Sequence, residues 1–305
     1  MISRLCQFCG VCIGFIWGSV LRIRRRVVLQ NLELAFKNEL DSAAKKSLVR
    51  KNFRYFGRHL METLTLPWAD KNWIFKNVLM SEEDWHPVRE CLNGGRGAFF
   101  LMAHLGNWEY GTLYGAFHKV PITIVTKEFK SSLLHKLWFR LRGHPDVQYI
   151  SASGTALSVV KAIKRGRFVA MMMDQHMQPP VGIESSFFGH RVGTIRSLAM
   201  LSLRTGAPVI PLFVVREKDN HYHLYTDKVL TPSTAFTSSA DLDLLVHSMT
   251  QQYCDTIEKW VRRYPTQWNW LHRRFKYSYD YSNGQKIGEH PASSAPPYSE
   301  SIVCK

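Results

Sequence analysis

Short apolar runs alternate with amphipathic segments through the middle of the chain. The apolar runs have the length of buried strands: GAFFLMA (97–103), ITIV (122–125), VQYI (147–150), FVAMMM (168–173) and PVIPLFVV (208–215). Stretches with helical spacing lie between them, at about 108–117, 131–142, 154–165 and 194–205. This alternation predicts an α/β fold with a central, mostly parallel sheet and helices on its faces.

The segments that follow extend this architecture. HYHLYTDKVL (221–230) alternates and predicts an additional edge strand, and 241–264 has the pattern of a last long helix. From residue 277 onward the chain is rich in Ser, Pro, Gly and Tyr, which predicts a disordered tail. We therefore divide the chain into an N-terminal segment 1–26, a main domain 27–276 and a tail 277–305.

The N-terminal segment Leu5–Leu21 is apolar, and the basic cluster RIRRR follows it at 22–26. As a helix its 17 residues would reach ~26 Å, near the lower limit for crossing a bilayer. A secretory signal has its charges and apolar run in the opposite order. The pattern predicts an N-terminal membrane helix, either spanning or partly embedded, with the following domain on the cytoplasmic side. A buried core helix is the alternative interpretation.

The segment from Asp41 to Leu66 has the pattern of one long helix, which Asp41 or Ser42 can cap and Pro67 ends. One side predicts a buried apolar stripe: Val49, Phe53, Phe56, Leu60 and Leu64. The other side is basic: Lys45, Lys46, Arg50, Lys51, Arg54 and Arg58. This basic side is either solvated or rests on anionic lipid headgroups.

Polar residues with catalytic potential follow two of the predicted strands. His104 comes directly after GAFFLMA, and Asp174 follows FVAMMM. Ligands bind outside the carboxyl ends of strands in such sheets, so both residues are candidates for one site. A histidine there can act as a general base, and Glu109 can hydrogen-bond its other ring nitrogen and fix the tautomer. A structural histidine and a turn-capping Asp174 are the open alternatives.

The charge of the chain narrows the class of partner. Of its 305 residues, 40 are Lys or Arg and 24 are Asp or Glu, a formal net charge of +16 that favours an anionic partner. No recognisable nucleic-acid-binding motif accompanies this charge, which argues against nucleic acid as the partner.

Cys6, Cys9 and Cys12 have the spacing that opens an iron–sulfur cluster motif, but Ile16 occupies the fourth ligand position. Small apolar residues on one helix face are the simpler interpretation.

Five segments carry recognisable motifs: RRRVVLQNLELAF (24–36), AHLGNWE (103–109), DQH (174–176), FFGHRVGTIRSLAMLSLRTGAPVIPLFVVR (187–216) and WNWLHRRFK (268–276). In this order they resemble segments of the bacterial lipid A biosynthesis late acyltransferases, the lauroyl and myristoyl acyltransferase family. The resemblance covers about residues 1–276. It implies a glycerolipid-acyltransferase-like fold, with a sheet and flanking helices behind an N-terminal membrane helix.

The resemblance also implies a reaction. A fatty acyl group would move from an acyl carrier protein thioester to a hydroxyl of an anionic glycolipid, a lipid A precursor in lipopolysaccharide biosynthesis. The enzyme would lie at the cell inner membrane with its catalytic domain facing the cytoplasm. No metal or other cofactor is expected, because a thioester is already activated. Donors for the oxyanion would be backbone N–H groups near Gly106–Asn107, or an arginine.

The resemblance assigns roles to four residues. His104 would match the family's catalytic base and Glu109 its partner. Asp174 and Arg142 would match substrate-binding positions, and we prefer Arg142, next to Gly143, over Arg140.

Three other hypotheses stay open from sequence. The acceptor could be another glycolipid or an aminolipid. Water could replace the lipid hydroxyl, which would make the protein a thioesterase or lipid hydrolase. A basic peripheral membrane or nucleic-acid-binding protein is the non-enzymatic alternative.

Overall fold

The computed structural model describes residues 4–126, 131–152, 156–233 and 238–276, together with the backbone at 278–279 and 286–287. The strands are β1 Val78–Met80, β2 Ala98–Met102, β3 Ile122–Thr126, β4 Gln148–Ser151, β5 Phe168–Met172, β6 Gly182–Phe187, β7 His190–Ile195, β8 Val209–Arg216, β9 Tyr222–Thr226, β10 Ser278–Tyr279 and β11 Lys286–Ile287. The helices are α1 Arg4–Phe15, α2 Arg25–Phe36, α3 Ser42–Leu64, α4 Lys71–Asn77, α5 Glu82–Asn93, α6 Trp108–Phe117, α7 Ser132–Arg142, α8 Ala156–Lys164, α9 Ser197–Thr205 and α10 Ser239–Arg263. Apart from β10 and β11, the predicted tail lies outside the described residues.

Seven strands form the central sheet, in the order β1-β9-β8-β2-β5-β3-β4. Neighbouring strands run parallel except β8 and β9, which are antiparallel. The five predicted apolar runs are β2, β3, β4, β5 and β8, so the predicted α/β fold with a mostly parallel sheet is confirmed. The prediction of an edge strand at 221–230 is wrong in its position. There β9 lies inside the sheet, because β1 pairs along its outer side.

Helices cover both faces of this sheet, which explains why its strands are continuous apolar runs rather than alternating ones. Every residue of β2 is buried. One face packs against α2, α3, α8, α9 and α10, and the other against α4, α5 and α6. The hairpin β6–β7 stands apart from the sheet and packs on α10.

The N-terminal segment does not form one straight helix. It is helical as α1, followed by a π-helical turn at Ile16–Val20, and α2 then takes a new direction. No single helix among the described residues is long and apolar enough to cross a bilayer. The two helical segments Leu5–Val20 and Arg25–Phe36 reach that length and apolarity together, but they meet at an angle of 86°. α1 packs closely along α3: a Cβ atom on Gly57 would lie 2.2 Å from the carbonyl oxygen of Gly10.

Helix α3 begins where the sequence predicts, because the Asp41 carboxylate accepts a hydrogen bond of 2.6 Å from the N–H of Ala44. The predicted stripe is buried at Val49, Phe53 and Phe56 but not at Leu60 and Leu64, which are 41% and 42% exposed. In the last turns of the helix, polar residues take the inward side instead: His59, Glu62 and Thr63.

The basic side of α3 is mostly exposed, as predicted, but Lys45 departs from it. Lys45 is 5% exposed, and its ammonium group lies 2.5 Å from the Glu33 carboxylate of α2. Lys45 therefore joins two helices of the core and is not available to a membrane surface.

Candidate active site

Two parallel strands bring His104 and Asp174 together. β2 and β5 pair in a register that places Met102 beside Met172. Each of the two polar residues follows two positions later, so both emerge at the carboxyl edge of the sheet, side by side. The pairing of two hydrophobic strands thus brings two titratable groups, 70 positions apart in sequence, into contact.

The carboxylate of Asp174 is only 3% exposed and receives three hydrogen bonds. Its Oδ1 lies 2.8 Å from Nδ1 of His104. Its Oδ2 accepts 2.8 Å bonds from the backbone N–H of His104 and from the indole N–H of Trp268. These contacts fix the position of the imidazole and make Nδ1 the protonated nitrogen of the neutral ring.

The pair shifts both pKa values in the direction of an ion pair. Burial alone would raise the pKa of Asp174, but the charge and hydrogen bonds of His104, with the bond from Trp268, lower it to about 2. Burial would lower the pKa of His104, but the charge and hydrogen bond of Asp174 outweigh it and raise that pKa above its ordinary value of 6.5. Asp174 is therefore ionised at neutral pH and favours the imidazolium form of its partner.

The second ring nitrogen of His104 is the one available for chemistry. Nε2 has no hydrogen-bond partner among the described residues, and the side chain is 21% exposed. With Nδ1 held by a buried carboxylate, Nε2 of the neutral ring carries the lone pair that can accept a proton.

Glu109 has a different partner from the one predicted. Its Oε1 lies 2.6 Å from Nη2 of Arg142 and accepts a 2.7 Å bond from the indole N–H of Trp108. Glu109 and Arg142 are both largely buried, with side chains 5% and 11% exposed, and the guanidinium of Arg142 stacks on Trp138 at 4.8 Å. This ion pair joins α6 to α7 at the edge of the site.

Two sequence-based expectations are therefore corrected. The carboxylate on Nδ1 of His104 is Asp174 and not Glu109, because the strand register places Asp174 beside the ring, whereas Glu109 on α6 meets Arg142 of α7. The expectation of Asp174 as a substrate-binding residue is revised, because its buried oxygens accept hydrogen bonds from His104 and Trp268. Of the two candidate arginines, Arg142 makes the buried contact, and Arg140 is exposed.

The turn after His104 is held by backbone bonds, which corrects a third expectation. The N–H of Gly106 donates to the carbonyl of Gln267 at 3.0 Å, and the N–H of Asn107 donates to the carbonyl of Val214 at 2.8 Å. Gly106 has a φ of +71°, and a Cβ atom there would lie 1.6 Å from the Val214 oxygen. Because both N–H groups already have acceptors, they are not free to stabilise an oxyanion.

Sequence reasoning missed Glu62, which supports this turn from α3. The buried carboxylate of Glu62 accepts bonds from the side-chain N–H of Asn107 at 2.9 Å and the hydroxyl of Tyr222 at 2.6 Å. It also lies 2.7 Å from the guanidinium of Arg216. Glu62 is the only acidic residue in α3, and its place on the inward side of an apolar helix was the signal that could have identified it.

The closing motif also supports the site. Trp268 and Trp270 are fully buried and pack in the core of the fold. Arg274, 1% exposed, donates to the carbonyls of Gln175 at 2.9 Å and Gly193 at 2.7 Å. It thereby fixes the segment that follows Asp174 against β7.

Comparisons with known proteins identify the family of this chain. Residues 2–277 match the family described as bacterial lipid A biosynthesis acyltransferase. The chain is 26% identical to the lipid A biosynthesis lauroyltransferase of Escherichia coli, over 88% of this chain and 83% of that protein. It is 22% identical to the phosphatidylinositol mannoside acyltransferase of Mycolicibacterium smegmatis, over 73% and 71%. The crystal structure of the 1-acyl-sn-glycerophosphate acyltransferase PlsC of Thermotoga maritima aligns with a TM-score of 0.38 and 12% identity, covering 87% of this chain and 97% of that one.

The two carboxylates near His104 make different predictions for its titration. We expect Asp174→Asn to bring the His104 pKa below 6.5, because burial and Arg142 would then be opposed only by Glu109. Glu109→Gln should lower it less, because Glu109 contributes the smallest of the favourable interactions. Histidine NMR titration of the wild type and both variants measures these values. A larger decrease in Glu109→Gln than in Asp174→Asn would contradict the assignment.

Proposed function

Since the chain belongs to the bacterial lipid A biosynthesis acyltransferase family, we propose that it transfers a fatty acyl group from an acyl carrier protein thioester to a hydroxyl of a lipid A precursor. The observation that carries this proposal is the His104–Asp174 pair at the carboxyl edge of the sheet, with Nε2 of His104 unpaired. A base held in this way suits direct attack by a substrate hydroxyl, which needs no protein nucleophile.

His104 acts as the general base in this mechanism. Its Nε2 takes the proton from the acceptor hydroxyl as the oxygen attacks the thioester carbonyl. The imidazolium that forms is stabilised by the Asp174 carboxylate. The tetrahedral intermediate then collapses, the carbon–sulfur bond breaks, and the departing sulfur takes the proton from Nε2 of His104, which restores the neutral base. The products are an ester on the glycolipid and a free thiol on the carrier.

Arg142 binds the anionic part of the acceptor. The carboxylate of Glu109 holds one edge of its guanidinium by Nη2, and Trp138 covers one face of the group. Nη1 has no partner among the described residues, so it is available for a second, charge-assisted hydrogen bond. In this proposal Glu109 is a positioning residue that acts through Arg142.

A different glycolipid acceptor is the second candidate. The similarity to a phosphatidylinositol mannoside acyltransferase favours it, because that protein's name records a phosphate-bearing lipid outside the lipid A class. The catalytic residues would act in the same way on either acceptor.

The first test is acyl transfer itself. His104→Ala should lower turnover by at least about 10²-fold, because a positioned general base contributes about 10²–10⁴-fold. The assay follows thioester consumption and acylated glycolipid together, with and without acceptor, by mass spectrometry. Near-normal turnover in a folded His104→Ala protein would reject the mechanism. Release of free fatty acid at the same rate without acceptor would indicate a hydrolase instead.

The membrane contact is also a proposal, and it rests on exposed apolar side chains beside the site. We define an apolar surface by its members: Leu5 and Phe8 on α1, Leu60 and Leu64 on α3, Trp68, and Leu133 and Leu137 on α7. α1 packs on α3, and α7 packs on α3 and on the turn that contains Trp68, so these elements adjoin one another. These side chains are between 41% and 74% exposed, and contact of so many adjacent apolar side chains with water is unfavourable.

Basic residues next to this surface would orient the protein at the cytoplasmic leaflet of the inner membrane. Arg22 and Arg26, between α1 and the main domain, are exposed. Nε of Arg22 also donates to the carbonyl of Ser19, at 3.4 Å, and Arg24 and Arg25 donate to the carbonyls of Leu271 at 2.9 Å and Gly18 at 3.0 Å. In this proposal residues 1–26 form the anchor, and anionic headgroups meet the exposed side chains of Arg22 and Arg26.

Replacing apolar surface residues should weaken attachment. Leu5→Glu combined with Phe8→Glu should lower binding to anionic phospholipid vesicles by at least about tenfold, because burial of each such side chain contributes about 1.5–3 kcal/mol. Vesicle flotation measures the bound fraction. The matched control is Leu244→Glu on α10, since Leu244 is 70% exposed but lies outside the apolar surface. Equal losses in the control and the double variant would contradict the proposal.

A further inference from the structure

A second histidine lies in the wall of the site. His59 belongs to α3 and is 8% exposed. Its ring lies 4.6 Å from the indole of Trp108, measured between ring centroids, and the ring of His104 lies 5.1 Å from that same indole. Trp108 therefore contacts both imidazoles, and its side chain lies between His59 and the proposed base.

The polar atoms of His59 are not used by the fold. Neither ring nitrogen has a hydrogen-bond partner among the described residues, and Nδ1 is buried. Buried polar side-chain atoms are nearly always hydrogen-bonded in folded proteins, because leaving one unpaired costs about 1–3 kcal/mol. A phenyl ring would fill the same space against Trp108 without that cost, so packing alone does not account for a histidine here.

The surroundings keep this ring uncharged. Burial, then Arg142 and His104, lower the pKa of His59 to about 3. A neutral imidazole offers one N–H donor and one acceptor nitrogen, the combination that matches a hydroxyl or an amide group. It is poorly suited to bind a phosphate, which Arg142 already serves in the proposed function.

The position of His59 on α3 indicates which substrate it meets. The next residue is Leu60, and Leu64 follows one turn later; both belong to the apolar surface. A membrane lipid that reaches His104 from that surface passes this part of α3. The acyl carrier protein is soluble in water, so we expect the thioester to reach the site from the aqueous side.

We propose that His59 is an acceptor-binding residue, whose neutral ring hydrogen-bonds a hydroxyl or amide of the glycolipid next to the hydroxyl that is acylated. The inference rests on the proposed function and deepens it. It adds to His104 and Arg142 a contact that recognises the uncharged polar part of the acceptor.

The test is a two-substrate kinetic comparison of His59→Phe, His59→Gln and the wild type. His59→Phe keeps a ring against Trp108 and removes the hydrogen bond, whereas the amide of glutamine can restore it. One hydrogen bond of this kind corresponds to about three- to tenfold. We therefore expect His59→Phe to raise KM for the glycolipid by that factor, with little change in kcat or in KM for the thioester. His59→Gln should recover most of the loss.

The matched control is His118→Phe. His118 also packs among aromatic rings, 4.5 Å from both Tyr114 and Phe75, but it follows the far end of α6. It should leave both KM values unchanged. Thermal unfolding of each variant separates loss of fold from loss of binding.

The possible outcomes distinguish this inference from the proposed function. Wild-type kinetics in His59→Phe would overturn the inference while the transferase assignment stands. A fall in kcat with both KM values unchanged would also overturn it, because His59 would then act through Trp108. A higher KM for the thioester alone would place His59 on the donor side and contradict the proposal. Absence of transfer by the wild type would instead reject the proposed function.

Discussion

The site depends on one buried carboxylate. Asp174 sits at the end of an inner strand, almost without solvent, and receives bonds from the backbone and ring of His104 and from Trp268. An ionised carboxylate is costly to bury unless donors surround it, so these three groups are required together. The same contacts join the ends of β2 and β5 to the C-terminal motif. The contacts that position the base therefore also hold the C-terminal motif against the sheet.

Helix α3 links the site to the proposed membrane contact. Its inward side supplies Glu62, which holds the turn after His104 through Asn107, and His59, which lies against Trp108. Its outward side carries Leu60 and Leu64 and packs against α1. The inward side of this helix thus lines the site, and its outward side belongs to the proposed membrane contact. This placement gives a physical reason why the last turns of α3 direct polar residues inward and leave the apolar side chains of Leu60 and Leu64 exposed.

The sequence predicted the parts of this structure that depend on local pattern. The inner strands, the cap at Asp41 and the appearance of His104 and Asp174 at strand ends all follow from hydrophobic periodicity and from the chemistry of the residues there. The partner of each side chain depends on register and helix packing, which periodicity does not contain. For that reason Glu109 was assigned to His104 and not to Arg142. Glu62 and His59 were missed because they sit in a helix whose pattern reads as apolar and basic.

The central claim is that Asp174 acts through His104 and Glu109 does not. The most direct measurement is kcat/KM for Asp174→Asn and Glu109→Gln, each alone and each combined with His104→Ala. Residues that act as one unit are strongly non-additive, whereas independent ones multiply. We predict that Asp174→Asn causes little further loss once His104 is alanine, and that Glu109→Gln still causes most of its own loss. A multiplicative Asp174→Asn together with a silent Glu109→Gln in the His104→Ala background would contradict the account.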